Sequence, residues 1–228
     1  MYREDFSTNR FNWNLERDSH SIARLEQGKL YLESLSNAGT ARMINIPQDF
    51  ETFSIEGDVD LRKQNASRKA GLIFGFKDWQ NYWYFMVSRD KYYIGMVYEG
   101  LSQTYADGDY IVSEKLSGDH TLKVISGDSR WYFSIDGTVH RSVKDGITRG
   151  RNAGFVVSGK NTYGYFDQLV VKEFYSGSSG IGGGEANAEI NASGSGLLLN
   201  AEGYFVTNYH VIEDSNEILV DVTVDGNA

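Results

Sequence analysis

In the run 202-EGYFVTNYHVIED-214, a histidine stands three positions past a short apolar segment. The imidazole of His210 titrates close to working pH, so it can take a proton from a nucleophile and return it to a leaving group. A base of this kind needs a carboxylate to orient its second nitrogen and a serine within hydrogen-bonding reach. A second set of reactive types stands at Glu56, Asp58 and Asp60, which alternate with apolar residues along 53-FSIEGDVDL-61. Alternation puts them on one face of a strand, roughly 6–7 Å apart, within reach of paired-carboxylate glycoside chemistry. The same pattern describes any strand with one wet face, and that plainer reading is the expected one. A third set is aromatic: Trp79, Tyr82, Trp83, Tyr84, Tyr92, Tyr93 and Tyr98 crowd into twenty positions. Their flat faces can stack on the apolar faces of sugar rings, although alternation must send about half of them into the core. Trp79 sits in the Lys77–Asn81 turn, so Trp79, Tyr82 and Trp83 are the candidate ligand-binding residues. His20, His120 and His140 have no metal-ligand spacing among themselves.

The composition narrows what could position these groups. Of 228 residues, 40% are hydrophobic, 14% aromatic and 23% charged, with 15 tyrosines and a single proline, Pro47. Aromatic side chains suit a pleated surface, so the balance leans towards strands. A formal charge of −9 argues against a nucleic-acid backbone as partner, because phosphate binding needs clustered Lys and Arg. With no cysteine, disulfides, thiolate metal sites and a cysteine nucleophile are excluded. No apolar run reaches membrane-spanning length. The start, MYREDFSTNR, lacks the apolar core of a signal peptide. If Met1 is the native start, the expected location is the cytoplasm.

The positioning elements are short strands. Besides 53–61, candidates are 71-GLIFGF-76, 82-YWYFMVS-88, 92-YYIGMVY-98, 120-HTLKVIS-126, 130-RWYFSID-136, 153-AGFVVSG-159 and 165-YFDQLVVKEF-174. Asp136-Gly137 between two of them is a two-residue hairpin signal. No convincing amphipathic helix and no fixed-period repeat intervene, which points to a β-sandwich. The composition changes at 175-YSGSSGIGGGEANAEINASGSG-196, where Gly, Ser and Asn displace apolar residues, the signature of a linker. Two Asn-x-Ser matches, at Asn65 and Asn191, are too short to carry weight without a secretory context.

The run 70-AGLIFGFKDWQNYWYFMVSRDKYYIGMVYEG-100 resembles the central strands of concanavalin A-like (laminin-G-like) jelly-roll domains. In order, 4-EDFSTNRFNW-13, 28-GKLYLES-34, 119-DHTLKVISGDSRWYFSIDGTVH-140 and 164-GYFDQLVV-171 match as well, so the resemblance spans most of residues 2–174. It implies a two-sheet sandwich, a fold that hosts lectins, glycosidases and adhesive modules alike. Laminarinase-like members use a Glu-x-Asp-x-x-Glu strand, and here Leu61 stands where the final Glu belongs. The fold often brings its termini together, which implies that Asp5 and Asp167 meet. Related domains bind calcium at such a place.

Residues 192–228 resemble the opening of trypsin-like serine proteases of the bacterial Deg (high-temperature-requirement) type. Gly194-Ser195-Gly196, the turn at Glu202-Gly203 and Thr207-Asn208-Tyr209-His210-Val211 carry the likeness, and strands are expected at 196–199, 204–207 and 217–224. The resemblance implies that His210 is the general base of a triad. The family's carboxylate and serine come from later segments, and Asp214, Asp221 and Asp225 fall too early to replace the former. This chain alone is therefore expected to be inactive.

The expected organisation is all-β: a concanavalin A-like jelly-roll sandwich over 2–174, a flexible linker over 175–191, and a three-strand fragment of a trypsin-like barrel over 192–228. The expected function is a non-catalytic binding module of a serine endopeptidase, with a glycan or protein ligand and a peptide substrate only for the full-length parent. A stand-alone lectin-like module is the alternative, and a sandwich glycosidase comes third. No cofactor is required, apart from calcium at Asp5 and Asp167 if that site forms.

Overall fold

A computed structural model describes residues 1–46, 53–60, 68–88, 91–109, 119–126, 130–144, 150–173, 196–198 and 205–207. The chain divides into two compact units, Met1–Phe174 and Tyr175–Ala228. In the first, strands follow one another as β1 (Tyr2–Glu4), β2 (Ser21–Glu26), β3 (Lys29–Ser34), β4 (Thr40–Asn45), β5 (Phe53–Asp60), β6 (Lys69–Asp78) and β7 (Asn81–Val87). They continue as β8 (Lys91–Tyr98), β9 (Leu101–Asp109), β10 (Asp119–Ser126), β11 (Arg130–Ile135), β12 (Thr138–Lys144), β13 (Asn152–Ser158) and β14 (Thr162–Glu173). Among the described residues no helix is long and apolar enough to cross a membrane.

These strands make a two-sheet antiparallel jelly-roll sandwich. One sheet runs β12-β11-β10-β5-β14-β3-β2, with β1 also paired to β14; the other runs β4-β13-β6-β7-β8-β9. Period-two alternation decides which side chains meet between them. Along β5, Phe53, Ile55 and Val59 are fully buried, while Glu56 and Asp58 face outward. Gly57 shares the inward parity, and a Cβ there would lie 2.7 Å from the Phe155 ring, so the glycine leaves room for that phenyl group. Phe155 in turn stacks on Phe166 from the opposite sheet at 4.6 Å, and Phe85 meets Phe133 edge-on at 5.4 Å. Aromatic pairs of this kind carry much of the cross-sheet packing.

Tight turns set the registers. In the Asp136-Gly137 turn both residues have positive φ, 50° and 82°, the geometry that matches strand twist in a two-residue hairpin. Asp136 accepts that strain while its carboxylate receives the Thr121 amide at 2.8 Å and contacts His120 Nδ1 at 2.8 Å. At the N-terminus, β1 lies beside the end of β14, with Tyr2 opposite Val171. Glu4 is fully buried there. It accepts the Phe6 amide at 2.9 Å and the Trp13 indole N–H at 3.1 Å, which seats both aromatic rings in the core.

In the second unit, β15 (Gly196–Leu198) and β16 (Phe205–Thr207) pair antiparallel, with Leu197 opposite Val206. They coincide with two of the three strands read in the tail. The third, at 217–224, lies outside the described residues.

Candidate functional site

The outward parity of the six-stranded sheet builds a groove of about 270 Å³. β7 contributes Tyr82, Tyr84 and Met86; β8 contributes Tyr93 and Val97; the edge strand β9 adds Ser102 and Thr104; β13 adds Val156 and Ser158. Thr40 and Lys69 close one end and Trp79 the other part of the rim. The floor is flat for a local reason. Tyr84 is paired with Gly95 on β8, and its phenol lies over that glycine, in the space a side chain at position 95 would need.

Trp79 stands at the β6–β7 turn and is 60% exposed. Phe76 meets it edge-on at 5.1 Å and Tyr82 at 5.9 Å, so its indole is held in place while its face stays in water. The turn itself is tied by Asp78, whose carboxylate accepts the Gln80 amide at 2.8 Å and the Asn81 side-chain N–H at 3.0 Å. Those bonds, the Asn81 one first, hold its pKa below the ordinary value. Burial, and then the neighbouring Tyr84, push the Tyr82 phenol upward. Tyr82 therefore keeps its proton at neutral pH and can both donate and accept a hydrogen bond. Lys69 holds its ammonium 3.6 Å from the centre of the Tyr93 ring.

Among the described residues the groove lining contains no Asp, Glu or His. What it offers is flat apolar faces rimmed by hydroxyl groups and one cation.

The sequence-derived candidates separate accordingly. Trp79 and Tyr82 are brought together on this face. Trp83 is not: it is 2% exposed, stacked on Phe74 at 6.4 Å and on Tyr105 at 4.9 Å, with Trp131 at 4.8 Å. Its assignment as a ligand-binding residue is corrected to core packing. Neighbours along a strand point to opposite faces, so Tyr82 and Trp83 cannot share a site. Tyr84 and Tyr93 belong to the groove, and the alternation of 82-YWYFMV-87 carries that information once Phe85 is recognised as inward. Lys69 carried no signal, because nothing in 68–70 shows which strand it will face.

The carboxylate row of β5 lies on the outer face of the other sheet, beside a depression of about 420 Å³ lined also by Arg3, Lys123 and Gln168. Glu56 pairs with Lys123 at 3.4 Å, Asp58 accepts the Thr121 hydroxyl at 2.7 Å, and Asp60 is buried with Lys29 at 4.0 Å. The three acids are tied into the sheet surface as its polar lacing.

Asp5 follows β1, and Asp167 lies on β14, the strand with which β1 pairs. Burial raises the Asp167 pKa and the charge of Asp5 adds to the rise. Among the described residues, however, no group of three His, Cys, Asp or Glu side chains is placed to hold a metal. One oxygen of Asp5 already accepts from the Ser7 amide and hydroxyl, and one of Asp167 from the Gln168 amide. His210 lies outside the described residues.

No protein-family model matches the chain, and no curated protein matches it. Solved structures do. The carbohydrate-binding module CBM66 of Bacillus subtilis superposes with a TM-score of 0.55 at 15% identity, over 74% of this chain and 99% of that one. A galectin-like protein of unknown function from Bacillus subtilis gives 0.56 at 16%, over 76% and 95%. The GH16 protein of the Bacteroides ovatus mixed-linkage glucan PUL, in complex with its G4G4G3G product, gives 0.52 at 13%, over 75% and 99%. At these identities the likeness establishes one thing: the first unit is a jelly-roll β-sandwich of the kind shared by these three proteins.

Proposed function

We propose that the sandwich is a carbohydrate-binding module whose ligand lies across the outer face of the six-stranded sheet. The observation that carries this reading is the groove itself: Tyr82, Tyr84 and Tyr93 form its lining and Trp79 stands exposed at its rim. Aromatic faces set between hydroxyl groups suit a ligand with apolar C–H faces and polar edges, as sugars have. Support from the comparisons is indirect, since CBM66 is named as a carbohydrate-binding module and the GH16 protein was solved with a glucan product. The test is affinity electrophoresis of the whole chain through gels containing single polysaccharides. Retardation by at least one polymer, lost in Tyr84→Ala with unchanged circular dichroism, is the expected result. Turnover of a polysaccharide abolished by Glu56→Gln would replace this reading with the glycosidase one.

A second proposal concerns the tail. The Thr207-Asn208-Tyr209-His210-Val211 run and the β15–β16 hairpin favour a trypsin-like peptidase segment, to which the module would deliver surface or substrate. His210 is its proposed general base. The native protein, captured with an antibody against residues 2–174, should then carry a larger mass than 25.6 kDa and react with a serine-directed probe. A mass of 25.6 kDa with no labelling would leave the module standing by itself.

A further inference from the structure

We infer that the groove takes an acidic glycan, one carrying carboxylated or sulfated sugars, and that Lys69 is the residue that meets the anion. The inference rests on the glycan-binding reading above and concerns its ligand class. The chain has 31 Asp and Glu residues against 22 Lys and Arg, yet among the described residues the groove lining holds no acid, and the charged side chain there is Lys69. That ammonium sits on the Tyr93 ring and has no carboxylate partner among the described residues. A cation on an aromatic face has given up part of its hydration on that side, and its remaining N–H donors point away from the ring. A neutral sugar laid over it would remove more water and return only hydroxyl oxygens. A carboxylate or sulfate returns a charge-assisted hydrogen bond, which is roughly twice as strong.

The surroundings fix where the anion belongs. Ser158 is the register partner of Lys69 on β13 and lines the same end, with Thr40 beside it. On the far side of Tyr93 the register places Asp107, exposed on edge strand β9 and outside the lining. An anionic group is therefore favoured between Lys69 and Ser158 and disfavoured towards β9. The overall charge of −9 opposes nonspecific adsorption of polyanions, so retention by one reports a site.

The experiment compares binding of the whole chain to polygalacturonate, carrageenan, xylan and mixed-linkage β-glucan. It uses wild type, Lys69→Met, Lys69→Arg and Tyr84→Ala. The expected result is preference for an acidic polymer, a roughly tenfold loss in Lys69→Met confined to that polymer, and recovery in Lys69→Arg. Polygalacturonate alone identifies the anion as carboxylate and carrageenan alone as sulfate; either supports the inference. Preference for a neutral polymer, or an acidic polymer bound equally by Lys69→Met, overturns it, and the glycan reading survives if Tyr84→Ala still abolishes binding. If wild type binds none of the four, the inference falls together with the glycan reading on which it rests.

Discussion

The phenol of Tyr84 on β7 occupies the space that a side chain at position 95, its register partner on β8, would require. The Gln103 carbonyl of β9 closes the same space from the other side, 2.6 Å from where a Cβ would stand. Gly95→Ala should therefore lift the ring off the sheet. Overpacking at a well-filled site costs about 1–3 kcal/mol, and the raised ring would break the flat floor as well. Expected outcomes are a lowered melting temperature and a glycan affinity reduced to near that of Tyr84→Ala, read by calorimetry on the same preparations.

Trp79 and Trp83, four positions apart, should answer to different assays. Trp79 is 60% exposed, so Trp79→Ala should weaken binding and leave thermal stability within about 0.5 kcal/mol of wild type. Trp83 is 2% exposed among Phe74, Tyr105 and Trp131, and Trp83→Ala should cost about 3–5 kcal/mol. Denaturant titration beside a binding isotherm separates the two. A stable Trp83→Ala that has lost only its ligand would refute the sidedness of β7.

Glu4 should be a stability residue. Both its oxygens receive donors buried with it, the Phe6 amide and the Trp13 indole. Glu4→Ala orphans both, at about 1–3 kcal/mol each. Glu4→Gln keeps one acceptor oxygen and should lose about half as much. Urea midpoints for the two variants check the order, and tryptophan fluorescence should report a more exposed Trp13 in the alanine variant.

The pH response of Asp167 has a defined sign. Burial, with Asp5 adding to it, raises its pKa above the ordinary carboxylate value, against the opposing effects of Gln168 and Lys29. The unfolded chain then releases this proton at lower pH than the native state does. Stability contributed by the protonated group is full below the unfolded pKa and declines as pH rises through the folded one. Asp167→Asn keeps an oxygen for the Gln168 amide and removes the titration. The variant should melt higher than wild type at pH 7, with the difference vanishing below pH 3.

Strands whose two faces differ were legible in the sequence: 53–61, 71–76 and 82–88 fall on β5, β6 and β7. Those at the margins were not. β9, LSQTYADGD, is an edge strand whose residues 101–104 are all exposed, so no apolar alternation marks it. β2 and β4 are also outermost in their sheets, and each shows only a few buried positions. The site was half legible for a related reason. Composition shows that aromatics are abundant, but only the inward commitment of Phe85 and Val87 assigns Tyr82 and Tyr84 to the outside and Trp83 to the inside. Lys69 required the register of three strands, β6, β7 and β8, before its ring partner Tyr93 became visible.

The pairing of β1 with the end of β14 bears on how this protein is made. Arg3 and Gln168 bond across the sheet at 3.0 Å, though 165 positions separate them in sequence. β5 lies between β10 and β14, so it too waits for partners synthesised much later. A ribosome must therefore release nearly all of the sandwich before its larger sheet can close. Until then β1 and the buried Glu4 have nowhere to dock. High contact order of this kind slows folding, and it makes the nascent chain a natural client for chaperones that shield open strand edges.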